Sequence, residues 1–414
     1  MFKRLLVLFT FCVFACHAAS KVSVGAEELF TDKYKNLIRS KKIGLITNHT
    51  GVDSQLVTTL EKLKDGHKHH VYTLTAIFAP EHGINGSFHA EEKLQNGKDK
   101  DGIPIYSLYG KTKRPTEEML KNVNLLVYDI QDIGSRSYTY ISTLFYVMEE
   151  AAKLRIPIVI LDRPNPINGR VVDGPMMEEK WRSVVGYVNI PYVHGLTVAE
   201  LANFYNQEYK IGAKLYIVPM KGWKRDMSFQ DTGLPWVPTS PHIPDAQTPQ
   251  YYPATGILGE ISMVNIGVGY TLPFKVIGAP WIDANKFCDE LNKQKFPGIL
   301  FKPFFYKPFY GNFANQECQG ALLVITDTLS YKPVSTQYLI IGILKALHPV
   351  EFKEALTKSK GRREMFAKVN GTDRIWAIMS DRTNIVWKLR EIDQEEREAF
   401  IKTRTKYLLP DYGL

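Results

Sequence analysis

The first half of the chain alternates short apolar runs with amphipathic stretches. The apolar runs cover residues 43–47, 74–79, 125–129, 156–161 and 215–218. Runs of this length, bounded by polar residues, predict buried β-strands. Strands that alternate with helices usually form a parallel sheet covered on both faces, so the pattern predicts an α/β fold with a Rossmann-like, mostly parallel sheet.

One of the intervening helices has a clear start signal. Thr197 and Glu200 have the spacing of a capping box, in which each side chain bonds the backbone amide of the other residue. Leu201, Phe204 and Tyr205 then follow at the spacing of one helix face. We therefore predict an amphipathic helix that begins directly after Thr197.

Prolines crowd the stretch that follows these runs. They are Pro235, Pro238, Pro241, Pro244, Pro249 and Pro253. Proline at this density is expected to prevent helix and interior strand, because its ring fixes φ and removes the backbone N–H. We predict a rigid connection over residues 235–255, between a Rossmann-like catalytic domain over residues 20–234 and a smaller mixed α+β domain over residues 256–414.

The pattern beyond the connection is less regular. Asp283 is expected to cap a helix that runs through Leu291. Residues 322–326 are predicted to form a strand and residues 335–346 a helix. A charged helix is predicted over residues 384–404. These elements suit a mixed α+β domain.

The N-terminus has the features of a secretory signal peptide over residues 1–19. Lys3 and Arg4 provide the positive start, and residues 5–15 form an apolar segment too short to span a bilayer. Small residues favour cleavage after Ala18 or Ala19. We therefore expect an exported, periplasmic protein.

The cysteines leave two alternatives open. Residues 13–16 resemble a lipobox, although Phe14 is bulky where a small residue is usual, and lipidation of Cys16 would anchor the protein to a membrane. Cys288 and Cys318 belong to the mature chain, where they form either one disulfide or two isolated buried thiols. Neither lies in a CxxC pattern typical of metal or redox sites.

Composition narrows the class of protein further. With 414 residues, 44% hydrophobic and 23% charged, the chain is long and apolar enough for two or three globular domains. A formal net charge of +9 favours anionic partners such as nucleic acid, lipid headgroups or acidic glycans. Because the basic clusters are short, as at residues 39–42, we interpret the charge as dispersed and expect no nucleic-acid partner.

Polar residues gather where the predicted strands end. In an open parallel sheet, ligands bind outside the carboxyl ends of the strands, so these side chains should converge. The set consists of Asn48, His49, Glu81, His82, Asp129, Asp132, Arg136, Asp162 and Arg163. Asp and Asn also end strands and begin helices well, which explains any single member. Acids after three successive strands nevertheless favour a functional site.

Several reaction classes have no motif in this sequence. HExxH, GxSxG, a P-loop and a GxGxxG turn after the first strand are all absent. A metal-dependent hydrolase that uses Asp129, Asp132, His49 and His82 stays open as an alternative. Residues 68–70 contain adjacent histidines, but their place after a turn favours a solvated loop.

Acid catalysis of glycoside cleavage fits the residues present. Such catalysis needs one carboxyl that is protonated near neutral pH, together with a second carboxylate or a group of the substrate itself. Glu81 follows Ile77 and Phe78, an apolar setting in which desolvation favours the neutral acid. Arg136 or Arg163 is expected to bind a substrate carboxylate through two parallel hydrogen bonds. The expected sugar-stacking aromatics are Tyr138, Tyr140 and Trp236.

Longer motifs in consistent order resemble one family over essentially the whole mature chain. They cover residues 44–51, 80–83, 129–140, 162–169, 194–197, 278–281 and 318–320. The chain is similar there to the NamZ-type exo-β-N-acetylmuramidases of bacterial cell-wall recycling. The resemblance implies an active-site cleft between the two domains, release of N-acetylmuramic acid from non-reducing ends of peptidoglycan fragments, and Glu81 as the general acid. It implies neither a metal nor a cofactor.

The strand-end set and the matched motifs together give the remaining candidate site residues. Substrate-binding roles are expected for Asn48, His49, His82, Arg136, Tyr138, Asp162, Arg163, His194 and Glu260. The second catalytic group is one of Asp129, Asp132 and Glu260, or the acetamido group of the substrate. Arginines that the family carries are replaced here by Val268 and Asn85. These departures motivate an alternative hypothesis, in which the protein binds cell-wall glycans without cleaving them.

Overall fold

The computed structural model describes residues 22–87, 95–381 and 385–413. The predicted signal peptide and Cys16 lie outside these residues. Every helix within these ranges is too short or too polar to span a bilayer.

Within the described residues, ten strands form two sheets. The strands are β1 Lys42–Thr47, β2 Thr73–Ala79, β3 Gly97–Lys98, β4 Pro104–Ser107, β5 Leu125–Asp129, β6 Ile158–Leu161, β7 Leu215–Val218, β8 Val276–Ala279, β9 Ile299–Tyr306 and β10 Cys318–Ile325. All five apolar runs of the first half are therefore strands, as the pattern predicted. The predicted strand over residues 322–326 is the last part of β10.

Helices connect the strands and form most of the C-terminal region. Those of the described residues are α1 Gly25–Glu28, α2 Thr59–Lys68, α3 Glu117–Leu120, α4 Thr139–Lys153, α5 Val198–Glu208, α6 Thr248–Glu260, α7 Ala284–Lys293, α8 Pro333–Leu347, α9 Pro349–Lys358, α10 Arg363–Asn370, α11 Arg374–Ser380, α12 Ile385–Glu391 and α13 Gln394–Arg404. The caps predicted for α5 and α7 are present: Glu200 N donates to Thr197 Oγ1 at 3.3 Å, and Lys286 N donates to Asp283 Oδ1 at 3.0 Å.

The larger sheet has the Rossmann-like arrangement predicted from the sequence. Its strand order is β3-β4-β2-β1-β5-β6-β7, and every pairing except β3 with β4 is parallel. Counted along the chain, the six parallel strands have the order 3-2-1-4-5-6 of doubly wound dinucleotide-binding folds. The order reverses between β1 and β5. Because these two strands are parallel, the loops that follow them both leave the carboxyl end of the sheet.

Both faces of this sheet are covered. Leu125 and Val127 of β5 pack into one apolar cluster, whereas Leu126 and Tyr128 pack into the other. This alternation follows from the two-residue period of a strand, and it explains why the strands read as continuous apolar runs. The second cluster continues into the C-terminal region through Ile277 of β8, so the two parts of the chain share one core.

The smaller sheet is antiparallel, with the order β8-β10-β9. Helices α6 and α8 pack against each other in this region, and α7 packs on β9 and β10. Cys288 and Cys318 are both buried free thiols, so the disulfide alternative is wrong. Cys288 Sγ lies 3.7 Å from the carbonyl of Gly320, as expected for a small buried side chain.

The prediction that the prolines prevent a helix is wrong for the end of the connection. Helix α6 begins at Thr248, with Pro249 in its first turn and Pro253 inside it. Proline is tolerated in a first turn, where the N–H lacks an intrahelical partner, but an internal proline removes a helix bond. Gln337 of α8 also bonds this helix: its Nε2 donates to Pro253 O at 2.8 Å, and its Oε1 accepts from Leu258 N at 3.0 Å.

The charged helix predicted over residues 384–404 is divided into α12 and α13. Asp393, between them, has a left-handed φ of 54°, which ends one helix before the next begins. Its carboxylate accepts hydrogen bonds from Met176 N and from the guanidinium of Arg374. These tertiary contacts stabilise a break that periodicity alone does not indicate.

Candidate active site

A cleft of about 660 Å³ opens between the large sheet and the C-terminal region. Its walls come from the loops after β2 and β5, the proline-rich connection, and the segments around α6 and α10. The polar lining residues are Glu81, His82, Tyr109, Ser137, Tyr138, Thr139, Tyr192, Ser240, His242, Tyr252, Glu260, Ser262, Asn265, Asn312 and Arg362. A cleft of this volume suits a small-molecule ligand.

Glu81 enters the cleft from the end of β2. His82 and Gly83 have left-handed φ values of 67° and 75°, and Gly83 N donates to Pro80 O at 3.1 Å. A non-glycine residue in this region costs conformational energy and marks a specified turn. The Glu81 residue is only 7% exposed, and its Oε2 accepts a 2.6 Å hydrogen bond from the Thr139 hydroxyl.

Thr139 is the first residue of α4, a helix of fifteen residues. The Glu81 carboxyl therefore lies at a helix N-terminus, where backbone N–H groups and the helix dipole stabilise negative charge. Thr139 is itself buried, so the contact is shielded from solvent. The sequence placed Glu81 at a strand end, and the structure adds the helix that holds it.

A tyrosine lies near both carboxylates of the described cleft. Burial raises the pKa of Tyr252, and the nearby charge of Glu260 raises this pKa further. Its hydroxyl is 3.2 Å from Ser137 Oγ, which in turn donates to the Tyr192 hydroxyl at 2.8 Å. The phenol therefore stays protonated and is a hydrogen-bond donor in the cleft.

Glu260 is the last residue of α6 and reaches the cleft from the C-terminal side. Its Oε2 lies 3.5 Å from Arg362 Nη2, and Arg362 Nη1 donates to Ser262 Oγ at 3.1 Å. Glu260 and Glu81 therefore both line the same cavity, although they come from different parts of the chain. Glycoside hydrolysis usually uses a pair of carboxyl groups.

His82 and Tyr138 also line the cleft. The Tyr138 hydroxyl donates to Thr239 Oγ1 at 2.9 Å, and its ring packs edge-on against Tyr140 with centroids 4.8 Å apart. Tyr140 itself is buried and does not line the cleft, and Trp236 lies at a separate small cavity. Of the three expected stacking aromatics, Tyr138 is the one that the structure brings to the site.

Asn48 and His49 are used in the loop after β1. Asn48 Oδ1 accepts from Thr50 N at 3.0 Å and from Thr50 Oγ1 at 2.6 Å, which closes a turn. His49 Nε2 lies 2.6 Å from Pro238 O, and burial lowers the pKa of this imidazole, so the neutral ring donates to the carbonyl. The ring leaves no room for a side chain at Gly86, whose Cβ would lie 2.1 Å from it.

Asp129 and Arg163 form a buried ion pair behind the cleft. Arg163 Nε donates to Asp129 Oδ1 at 2.6 Å, and Nη2 donates to Oδ2 at 2.9 Å. Thr59 Oγ1 adds a third bond to this carboxylate at 2.6 Å. Neither partner lines the cleft, and the cavity beside Arg163 measures only about 20 Å³. The crevice at the reversal of strand order is therefore filled by side chains.

Arg136 is also occupied by the protein. Its Nη1 donates to the carbonyls of Pro175 and Ile190, each at 2.7 Å, and its Nη2 donates to Asn370 O. Complete burial lowers its pKa to about 10. Arg136 joins the sheet domain to α10, and the structure does not bring it to the cleft.

Three further predicted site residues are buried away from the cleft lining. Desolvation raises the pKa values of Asp132 and Asp162 to about 7 each. Asp132 Oδ2 accepts from Gly134 N at 2.7 Å, whereas Asp162 caps α5 by accepting from Ala199 N at 2.9 Å. Burial lowers the pKa of His194 to about 3, and its Nδ1 accepts from Leu196 N at 3.1 Å.

Comparison with known proteins places this geometry in a family. Residues 43–247 match the N-terminal domain, and residues 250–409 the C-terminal domain, of the exo-β-N-acetylmuramidase NamZ. The chain belongs to the NamZ family of glycoside hydrolases. This confirms the resemblance seen in the sequence.

A relative and two solved structures agree with the NamZ assignment. The peptidoglycan β-N-acetylmuramidase NamZ of Bacillus subtilis is 40% identical over 390 residues, which cover 94% of this chain and 91% of that protein. Two DUF1343 family proteins of Bacteroides fragilis superpose with TM-scores of 0.86 and 0.72 at 40% and 28% identity. Each comparison covers 94% of this chain and 99% of the solved chain.

The departures from the NamZ pattern fall in two different settings. Val268 lines the cleft, so the exchange of an arginine there changes the cavity wall directly. Asn85 is exposed on the loop after Glu81 and is not among the described lining residues. Over the described ranges, no three His, Cys, Asp or Glu side chains converge in a way that could hold a metal ion.

Sequence reasoning missed much of the C-terminal wall of this NamZ-family cleft. Tyr252, Asn265, Asn312 and Arg362 line it, but no strand-end rule or short motif marks them. Asn265 Nδ2 donates to Asn312 O at 3.0 Å, so these two residues support each other across 47 positions of sequence. Contacts of this range are decided by the packing of the C-terminal region on the sheet.

Proposed function

We propose that this protein is an exo-β-N-acetylmuramidase that releases N-acetylmuramic acid from the non-reducing ends of peptidoglycan fragments. The observation that carries the proposal is a buried glutamic acid, Glu81, at the wall of a sugar-sized cleft in a chain of the NamZ family. The relative from Bacillus subtilis is named for this substrate.

Glu81 acts as the general acid. It donates its proton to the glycosidic oxygen as the bond from that oxygen to the anomeric carbon breaks, so the leaving sugar departs as a neutral alcohol. The Glu81 anion that remains lies at the N-terminus of α4 and accepts the Thr139 hydroxyl bond, and both stabilise it. Water then adds to the anomeric carbon and returns the proton.

Glu260 is the second carboxylate of this mechanism. Of the three carboxylates considered from the sequence, it lines the described cleft, whereas Asp129 and Asp132 do not. It is supplied by the end of α6, whereas Glu81 follows β2. From there it stabilises positive charge at the anomeric carbon, or orients the acetamido group of the substrate when that group acts as the internal nucleophile.

Leaving-group dependence tests the role of Glu81. The Glu81→Gln variant should hydrolyse a MurNAc–GlcNAc disaccharide about 10²- to 10⁴-fold more slowly, since general acid catalysis contributes this much. A dinitrophenyl β-muramide has a leaving group that needs no proton, so the variant should cleave it at nearly the wild-type rate. Product release is followed by mass spectrometry for the disaccharide and by absorbance for the aryl glycoside.

Glu290→Gln is the matched control, because Glu290 is a surface residue of α7 paired with Lys293. Its rates should equal those of the wild type with both substrates. Full disaccharide activity in Glu81→Gln would contradict the proposed role. Tight binding of muramyl glycans by the wild type without release of sugar would instead favour the non-catalytic glycan-binding alternative.

The proposed location is the periplasm, where peptidoglycan fragments are present. Cell fractionation should recover the protein with the soluble periplasmic contents, and Cys16→Ser should leave this distribution unchanged. Recovery in the membrane fraction that is lost in Cys16→Ser would show a lipid anchor and overturn the soluble assignment.

A further inference from the structure

Arg362 contributes a positive charge to the wall of the cleft. Among the described residues that line the cavity, Arg362 is the one arginine. The acidic residues of this lining are Glu81 and Glu260, and its histidines are His82 and His242. A muramyl sugar carries a carboxylate on its lactyl ether. A guanidinium in the cavity wall is well suited to bind such a group, because its planar fork matches a carboxylate bidentately.

A hydrogen bond to the end of α6 holds the backbone segment that carries Arg362. Residues Lys360–Arg362 form a 3₁₀ turn that begins after Ser359. The Ser359 hydroxyl is buried and donates to Ile261 O at 2.6 Å, so the turn is attached to the end of α6. Arg362 is therefore held beside Glu260 by a hydrogen bond that spans 98 positions of sequence.

The guanidinium retains binding capacity in this position. Its contact with Glu260 Oε2 is 3.5 Å long, whereas charge-assisted N–H···O bonds are about 2.7–2.9 Å. Its other contact is the 3.1 Å bond to Ser262 Oγ. A guanidinium has five N–H donors, and this side chain is 53% exposed, so donors remain for a bidentate carboxylate.

The arginines that the sequence suggested for this task are occupied elsewhere. Arg136 is fully buried and bonded to backbone carbonyls. Arg163 is committed to Asp129 and Val52 behind the cleft. Neither can reach a substrate in the cavity without breaking those bonds.

We infer that Arg362 binds the lactyl carboxylate of the substrate and thereby sets the preference for muramyl over uncharged N-acetylglucosaminyl groups. This inference rests on the proposed function. It makes Arg362 a specificity-determining residue supplied by the C-terminal domain, while the general acid comes from the sheet domain. The bound carboxylate positions the sugar in the cleft that Glu81 also lines.

A pair of substrates that differ in one charge tests the inference. The first is 4-nitrophenyl β-N-acetylmuramide, and the second is its lactyl amide, which has the same shape without the carboxylate charge. In the wild type, kcat/KM should be higher for the acid. In Arg362→Ala it should fall about tenfold or more for the acid, mostly through KM, because a hydrogen bond to a charged group is lost. For the amide it should change less than about twofold.

Two further variants and a change in salt concentration test whether the charge of Arg362 is responsible. Arg363→Ala removes the neighbouring exposed arginine, which is not among the described lining residues, and should behave as the wild type. Arg362→Lys should restore part of the preference, since it keeps the charge but not the fork. Added salt should raise KM for the acid in the wild type and much less in Arg362→Ala.

The outcomes separate this inference from the proposed function. If the wild type cleaves neither substrate, the proposed function fails. If it cleaves both but Arg362→Ala keeps the wild-type preference, the inference about Arg362 fails while the function stands. An equal loss with both substrates would show a structural role for Arg362 and would also overturn the inference.

Discussion

The buried pair of Asp129 and Arg163 gives a sharp test of structural against catalytic roles. From the sequence, Asp129 is a candidate catalytic acid; in the structure its carboxylate accepts two bonds from Arg163 and one from Thr59. The Asp129→Asn variant keeps the shape but removes the charge. It also turns an N–H₂ group towards donors, so the Arg163 charge is left buried without compensation.

The expected cost follows from the burial of both partners. The side chains of Arg163 and Asp129 are 4% and 0% exposed, so solvent does not replace the lost interaction. Breaking a buried pair by removal of one partner costs about 3–5 kcal/mol. Since a typical domain unfolds with about 5–15 kcal/mol, this loss is a large share of the total stability. The folded fraction of Asp129→Asn should nevertheless retain a kcat close to the wild-type value.

Urea unfolding at pH 7, followed by far-UV circular dichroism, measures the stability of Asp129→Asn, Arg163→Met and the double variant. Each single variant should lose a similar amount, and the double variant should lose less than their sum, because no uncompensated charge remains. Steady-state kinetics at low urea measure kcat. An Asp129→Asn protein of wild-type stability with a 10²-fold lower kcat would refute the structural role and restore Asp129 as a catalytic acid.

Two further predictions concern the support of Glu81 and the pH dependence of stability. Thr139→Val removes the hydroxyl bond to Glu81, so kcat for the disaccharide should fall about tenfold, whereas Thr139→Ser should retain most of it. A Thr139→Val variant with the kcat of the wild type would contradict a role for this bond. Burial raises the pKa of Asp132 to about 7, above its unfolded value near 3.8, so the folded state favours the protonated acid. The free energy of unfolding should therefore decrease as pH rises from about 4 to 7. Asp132→Asn should therefore gain stability relative to the wild type over that interval in urea unfolding at pH 4.5 and 7, and a difference that does not change with pH would contradict this.

Local signals determined the strands and several helix starts of this protein. The five apolar runs are strands because a parallel sheet covered on both faces buries every position of a short segment. The caps at Thr197 and Asp283 bond residues three positions away, so their partners are visible in the sequence itself. The same reasoning located Glu81 at a strand end, which the structure places at the cleft.

Tertiary structure decided which polar side chains belong to the cleft and which stabilise the fold. Asp129 and Glu81 both follow a strand in the sequence. In the structure, Asp129 is paired with Arg163, 34 residues away, whereas Glu81 lines the cleft. The contact between Glu260 and Arg362 spans 102 residues, and the bond from Gln337 to the Pro253 carbonyl spans 84 residues. The energy of a polar group depends on the partners that packing brings to it, and no local pattern contains those partners.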